Sequence, residues 1–321
     1  MSPLLEAHGL TKTFVTRRDM LGRTTERVTA VKDVDLHIGR GKTLGLVGES
    51  GSGKSTTGRL IARLLNADHG VVRLDGVDFS ALRAGDLRAA RQKVQVVFQD
   101  PFSSLDPSWV VSDIVTEGLR AHRKSSRSER ADRAAELIEL VGLNSHHLRR
   151  YPYEFSGGQR QRIAIARALA LDPQLLICDE AVSALDVSTQ AAIITTLEDL
   201  QERLGLSYLF ISHDLSVVRH LSDKIAVMYL GRIVESGTAA EIYESPKHPY
   251  SQALLSAVPH VRRSQARARR IVLSGDLPTP ADPPAGCVFH PRCPAAMDVC
   301  REVLPERTLV GSTEVACHLY P

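Results

Sequence analysis

Nine consecutive residues, Gly48-Glu49-Ser50-Gly51-Ser52-Gly53-Lys54-Ser55-Thr56, carry the spacing G-x-x-x-x-G-K-[ST]. An apolar run, KTLGLV, precedes them and a helical pattern, TTGRLIARLL, follows. The chemistry explains the composition. Glycines let the backbone curl so that successive N–H groups point into one concavity that suits an anion. The N-terminus of the following helix adds partial positive charge there. Lys54 can reach the β- and γ-phosphates of a nucleotide, and the Ser55 hydroxyl can ligate Mg²⁺. Gly48, Ser50, Gly51, Ser52, Gly53, Lys54, Ser55 and Thr56 are therefore the candidate ATP site. A Gly/Ser-rich turn that fits the pattern by chance is the alternative, and the flanking strand and helix argue against it.

A second chemical constellation lies downstream. Leu175-Leu176-Ile177-Cys178-Asp179-Glu180 is an apolar run that ends in two carboxylates. A buried strand delivering acids at its C-terminal end is where an α/β sheet places its chemistry. Asp179 can hold Mg²⁺ and Glu180 can take a proton from an attacking water. Taken alone, the same pair could cap a helix N-terminus. Gln99, after VQVVF, could touch Mg²⁺ and the water, and His213, after YLFIS, could bond a γ-phosphate. Each is weak alone. Their order and their places at strand ends support a phosphate sensor. Cys178 reads as a small core residue.

These residues need a scaffold. The chain has 321 residues, 43% of them apolar, enough for a sizeable core. Charged residues make up 24% and the formal net charge is +3, which gives no general case for a nucleic-acid partner. No apolar run is long enough to span a bilayer, and the N-terminus lacks the basic-then-apolar order of a secretory signal. A cytoplasmic protein is expected, with any membrane role through a partner. The first 230 or so residues alternate strand and helix patterns, as a parallel sheet flanked by helices requires. Strands are expected at 43–47, 71–74, 94–98, 175–178, 208–211 and 224–228. The stretch 101–154 is helical in pattern, notably at 130–141, and reads as an inserted subdomain. Residues 124–133 read as a solvated surface. Past Gly237, residues 245–249 (SPKHP) break structure, a short helix is expected at 250–258, and the basic stretch 261–270 reads as a solvated connector rather than a binding patch.

Tyr153-Glu154-Phe155-Ser156-Gly157-Gly158-Gln159-Arg160-Gln161-Arg162 resembles the signature motif of ABC ATPases. The resemblance covers roughly residues 5 to 240. It implies an α/β P-loop NTPase core, RecA-like, with the family's antiparallel β subdomain and a helical subdomain at about 101–165, all within 1–240. It implies that Ser156, Gly157, Gly158 and Gln159 cap ATP held by a partner's loop, in a head-to-tail dimer. Gln99 then falls at the Q-loop, Asp186 in Ser183-Ala184-Leu185-Asp186 at the D-loop, and His213 at the switch position. Phe14 falls where the family stacks an aromatic on adenine, a core Phe being its alternative. Phe155 replaces the usual leucine, and Ala181-Val182 a common Pro-Thr, without removing a catalytic group. His248-Pro249-Tyr250-Ser251-Gln252-Ala253-Leu254 and the late cysteines look like the C-terminal extension, 241–321, of dipeptide and oligopeptide importer ATPases. The insertion between Phe14 and Val31 looks more like their F-type subunit. The implied partners are a paralogous or identical ABC ATPase, two transmembrane permease subunits and an extracytoplasmic substrate-binding protein, at the cytoplasmic face of the cell membrane. Nickel, glutathione or oligosaccharide cargo stays open, because the ATPase never touches cargo. A soluble ABC protein acting on ribosomes or DNA is the rival class, and neither a second cassette nor a coiled-coil insert supports it.

Five residues separate Cys287 from Cys293, six separate Cys293 from Cys300, and sixteen separate Cys300 from Cys317. No C-x-x-C pair is present, so zinc-ribbon spacing is not met. Four thiolates at wide loop spacings can hold a [4Fe–4S] cluster, and relatives in the peptide-importer group are thought to carry one here. Zinc and free thiols remain alternatives. A tail so poor in apolar residues is expected to need a staple; such a cluster is expected to tie it into a compact cap on the nucleotide domain and, since hydrolysis requires no redox step, not to change the ATP chemistry directly.

Overall fold

A computed structural model describes residues 3–18, 24–100, 104–122, 125–257, 271–273, 275, 278–279 and 281–321. The basic stretch 261–270 lies outside the described residues. The strands in chain order are β1 (Leu5–Arg18), β2 (Thr24–Ile38), β3 (Thr43–Val47), β4 (His69–Leu74), β5 (Val77–Asp78), β6 (Val94–Val97), β7 (Leu175–Asp179), β8 (Ser207–Ser212), β9 (Lys224–Tyr229), β10 (Arg232–Thr238), β11 (Arg307–Val310) and β12 (Thr313–Ala316). The chain divides into two compact units. One comprises Met1–Leu4, Ile38–Thr43 and Ala81–Ile211, the other Leu5–His37, Leu44–Ser80 and Ser212–Pro321.

In the first unit β8, β7 and β6 lie side by side and parallel, Leu175 opposite Ser207 and Val94 opposite Leu175. All five residues of β7 are buried. That is why LLIC is apolar without alternation: a parallel strand covered on both faces has no solvent side. The segment 101–154 is helical where described, as expected. Its longest helix, Arg127–Leu140, starts ahead of the expected 130 because Ser126 and Glu129 form a reciprocal capping box. Of the charged segment expected to be solvated, the described residues 125–133 are mostly exposed, and from Arg127 on they form the first turns of that helix.

The second unit holds two sheets. In one, β2, β1, β4 and β5 are ordered in that sequence, β1 running antiparallel to β4. β4 turns into β5 through Asp75-Gly76, whose positive φ values of 53° and 76° suit a two-residue hairpin. Only β4 was legible here. β1 and β2 alternate apolar and polar residues and read poorly against the continuous apolar strands. In the other sheet the order is β11-β12-β10-β9-β3, with β3 and β9 parallel and the rest antiparallel. The last two strands are the C-terminal tail. The tail is thus tied down at least in part by main-chain pairing, Glu235 opposite Val315.

The tail also shares a core with the helix Pro249–Ser256. Phe289 and Tyr250 are fully buried, and Phe289 packs against Tyr229, Tyr250 and His248 with ring centroids 5.2, 5.4 and 5.5 Å apart. SPKHP does break the chain. Helix Ala239–Glu244 ends before it, and the next begins at Pro249, whose missing N–H costs nothing at a first position. His248 caps that helix: its Nδ1 accepts from the Tyr250 N–H at 3.0 Å, and its own N–H donates to Glu235 at 3.0 Å. Burial lowers the imidazole from 6.5 to about 3. The folded state therefore binds fewer protons than the unfolded one below pH 6.5. Stability should fall as pH drops from about 6.5 towards 3, by up to about 1.4 kcal/mol per pH unit from this group. Urea unfolding between pH 7 and 5 checks it: His248→Asn, which keeps a capping oxygen, should flatten the slope, and an unchanged slope would refute the assignment.

Candidate functional site

The anion site begins with β3, whose five residues are all buried. Gly45 on this strand has no room for a side chain: a Cβ would lie 2.4 Å from Val218 Cγ1 and 2.6 Å from Ser222 Oγ, so helix Leu215–Leu221 packs directly on the strand. The chain then curls. Gly48, Gly51 and Gly53 take φ values of 155°, 79° and 105°. Gly53 is the N-cap of helix Lys54–Ile61, no side chain caps that end, and no acid lies in its first turn. Its leading N–H groups and the helix dipole are thereby offered to an anion. A Cβ at Gly53 would lie 2.2 Å from the Ala30 carbonyl, and one at Gly48 2.2 Å from that of Met228.

Lys54 is 4% exposed. Its ammonium donates to the carbonyls of Gly48 and Glu49, both at 2.8 Å, and to Ser52 Oγ at 3.5 Å. These bonds hold the ammonium inside the turn. Ser50 to Thr56 line the same turn, with Ser52 buried and Ser55 and Thr56 half-buried. The Ser52 carbonyl accepts from Gly231 N–H at 2.9 Å, which ties the loop to the β9–β10 turn. In the same unit Phe14 on β1 is half-buried, with the Lys12 ammonium 5.6 Å from its ring centroid, so it is not a core residue. His213, exposed, follows β8 and precedes Asp214, the N-cap of helix Leu215–Leu221.

The first unit carries the acids. Asp179 ends β7 and is 6% exposed. Glu180 turns out of the sheet at φ 51°, its N–H donating to the Ile211 carbonyl at 2.9 Å. Neither caps a helix; Asp186 is the residue that caps the next one, Val187–Leu204. Ser183 Oγ donates to the Glu180 carbonyl at 3.0 Å and accepts from Gln99 Nε2 at 3.4 Å. Gln99 lies two residues beyond β6, in a bend and not at the strand end. Gln99, Ser183 and the Glu180 main chain are thereby joined. Cys178 is fully buried with its thiol pushed up to about 12, an inert core group.

Ser156 caps helix Gly157–Leu169: its Oγ accepts from Gln159 N–H at 3.3 Å, and Gln159 accepts from Ser156 N–H at 3.0 Å. A Cβ at Gly158 would meet Thr189 Cγ2 at 2.3 Å, and one at Gly157 would meet Leu185 at 3.4 Å. Thr189 in turn donates to Asp186. The Ser156 helix start and the Asp186 loop therefore form one packed body. Bonds from Ser188 and Thr189 hold the Asp186 carboxyl far below the usual carboxylate range.

The four late cysteines carry no disulfide, and three of them are buried. Cys287 N–H donates to the Cys300 carbonyl at 2.9 Å. Burial pushes the Cys287 thiol up to about 11, and the neighbouring Cys300, Cys317 and Cys293 add to the shift. Among the described residues, however, no three His, Cys, Asp or Glu side chains are disposed to hold a metal ion. Sequence reasoning also missed residues that grip the loop. Tyr250 Oη accepts from Glu49 N–H at 2.9 Å, and Arg292 makes two bonds to the Glu49 carboxylate, at 2.7 and 3.1 Å. Nothing local in HPRCP marks Arg292 as a partner of a residue 243 positions away.

Two family models match the chain: "ABC transporter" over residues 31–183, and "Oligopeptide/dipeptide transporter, C-terminal region" over 234–300. The oligopeptide transport ATP-binding protein AppF of Bacillus subtilis (strain 168) is 50% identical over 320 residues, 99% of this chain and 97% of that protein. A putative peptide import ATP-binding protein of Brucella abortus (strain 2308) is 53% identical over 292 residues, 91% of this chain and 86% of that one. Among solved structures, a dimeric ATP-binding cassette in a post-hydrolysis state bound to ADP and Pi matches with a TM-score of 0.65 at 30% identity, covering 73% of this chain and 98% of its own. The cbiO1 protein of Clostridium perfringens matches with a TM-score of 0.66 at 26% identity, over 76% of this chain and 92% of its own.

The loop geometry makes a direct prediction. Gly53→Ala forces a side chain into the Ala30 carbonyl at a φ that alanine rarely adopts. Mg-ATP affinity should fall by tenfold or more, on the order of the 1–3 kcal/mol that such strain costs, read by titration of a fluorescent ATP analogue. Affinity within twofold of the parent would contradict it.

Proposed function

The chain belongs to the ABC transporter ATP-binding family, in its oligopeptide and dipeptide import group, and on that premise we propose how its residues divide the work of an ATPase that energises peptide import. The observation that carries the ATP reading is the loop between β3 and helix Lys54–Ile61, with a buried ammonium held by its own carbonyls and an uncapped helix end behind it. Gly48, Ser50, Gly51, Ser52, Gly53, Lys54 and Thr56 hold the phosphates, and Phe14 takes the adenine. Ser55, Asp179 and Gln99 serve Mg²⁺. Glu180 accepts the proton of the attacking water, and His213 bonds the γ-phosphate. Ser156, Gly157, Gly158, Gln159 and Asp186 face the ATP of a partner ATPase, which is a paralogue or a second copy.

As a member of a transporter family, the chain works with transmembrane permease subunits; among its described residues no helix is long and apolar enough to cross a membrane. Two such subunits, an extracytoplasmic substrate-binding protein and a place at the cytoplasmic face complete the reading. Its support is the full-length likeness to AppF, which also favours the F-type position, and the dimeric neighbour.

For the tail, the four cysteines are proposed as [4Fe–4S] ligands on donor chemistry: four free thiols, with Cys300, Cys317 and Cys293 near enough to Cys287 to bear on its charge. Their arrangement here does not yet form a ligand set. Such a cluster would cross-link the tail and supplies no step of ATP hydrolysis. Metal analysis of anaerobically purified chain decides it. About four irons per chain are expected, with Cys293→Ser bleaching the colour. Stoichiometric zinc, or no metal with four alkylatable thiols, would end the proposal.

Glu180→Gln tests the catalytic reading. It should retain Mg-ATP, slow turnover at least a hundredfold, within the range for loss of a general base, and accumulate as an ATP-bound dimer by light scattering. Parent turnover should rise steeply with chain concentration. Turnover of the variant within threefold of the parent would remove Glu180 from the role.

A further inference from the structure

Among the described residues, the C-terminal extension bonds the phosphate loop at Glu49. Its main-chain N–H donates to Tyr250 Oη, its carbonyl accepts from Lys54 and from Ser52 N–H at 3.2 Å, and its carboxylate takes both Arg292 bonds. Arg292 ends the short turn His290–Arg292. That turn is anchored by Phe289, which is fully buried against Tyr229, Tyr250 and His248. The arginine side chain is only 10% exposed, and its guanidinium carbon lies 6.0 Å from the Tyr229 ring centroid. Charge-assisted, two-pronged and largely buried, the pair is not an ordinary surface ion pair.

The charge at this position has a cost. Glu49 places a carboxylate next to Gly48, at the start of a loop built to receive an anion. At an effective dielectric of about 20, an unpaired carboxylate about 12 Å from a phosphate charge repels it by an amount comparable to a tenfold change in affinity. We propose that Arg292, with Tyr250, is a positioning residue for nucleotide binding: it neutralises Glu49 and fixes the loop, so that the extension sets the affinity of the site for a nucleoside triphosphate. The inference rests on the ATP reading above.

Mg-ATP titration of the full chain tests it, with the thermal midpoint recorded for each variant. Arg292→Ala should weaken Mg-ATP by about tenfold, and Arg292→Lys, which restores the charge, should recover most of the loss. Tyr250→Phe should weaken it by about threefold, the size of one neutral hydrogen bond. The decisive variant is Glu49→Gln in the Arg292→Ala background: with the carboxylate gone, affinity should return to within threefold of the parent. A double variant as weak as Arg292→Ala alone would mean that the arginine acts only through the fold, and would overturn the proposal. So would Arg292→Ala within twofold of the parent. If Arg292→Ala does not fold, Arg292→Gln against Glu49→Gln/Arg292→Gln gives the same comparison, and no difference between them overturns it. Lys54→Ala is run alongside. Binding retained in that variant would sink the ATP reading itself, whereas its loss together with unaffected Arg292 variants sinks only the inference.

Discussion

The phosphate loop can take only one shape in this chain, because backbone from other strands fills the space where side chains would go. The Ala30 carbonyl of β2 stands against Gly53, the Met228 carbonyl of β9 stands against Gly48, and the Gly231 amide holds the Ser52 carbonyl. Main-chain walls cannot swing aside as a side chain does, so the glycines are steric requirements. The buried Lys54 ammonium closes the turn from inside by bonding the two carbonyls that open it. Curl, buried cation and uncapped helix end are parts of one arrangement. The surrounding sheets of this unit keep it in place.

A similar economy of space operates in the other unit. Gly158 lets the helix that Ser156 caps lie against Thr189, and Thr189 is bonded to Asp186. Two loops with separate motifs are thereby one body, and a shift of either moves the other. On the far side of the strand β7, Ser183 bridges Gln99 to the Glu180 main chain. Within this unit Gln99 is thus linked to the Glu180 main chain through one hydroxyl.

The extension is tied in by two kinds of force. Strand β12 continues the sheet at β10 by main-chain hydrogen bonds, while Phe289 and Tyr250 bury aromatic surface that the sheet edge would otherwise expose. His248 sits at their junction and stays neutral because it is out of water and serves as an acceptor. These contacts put Arg292 where it can meet Glu49.

The sequence by itself determined the chemistry. A glycine-lysine-serine spacing after an apolar strand has few other uses, and Asp179 and Ser156 stand at the boundaries of elements, with Gln99 two residues past β6. The buried parallel strands were legible because burial on both faces makes them continuously apolar. β1, β2 and the tail strands were not, since their alternation with polar residues is shared with loops and half-buried helices. Only tertiary structure decided that the acids do not cap a helix, that Gly158 and Thr189 touch, and that the tail is a sheet edge. Above all, it alone decided that Arg292 meets Glu49. Local propensity and spacing act over a few residues, whereas an ion pair between residues 243 apart depends on where the whole chain between them returns.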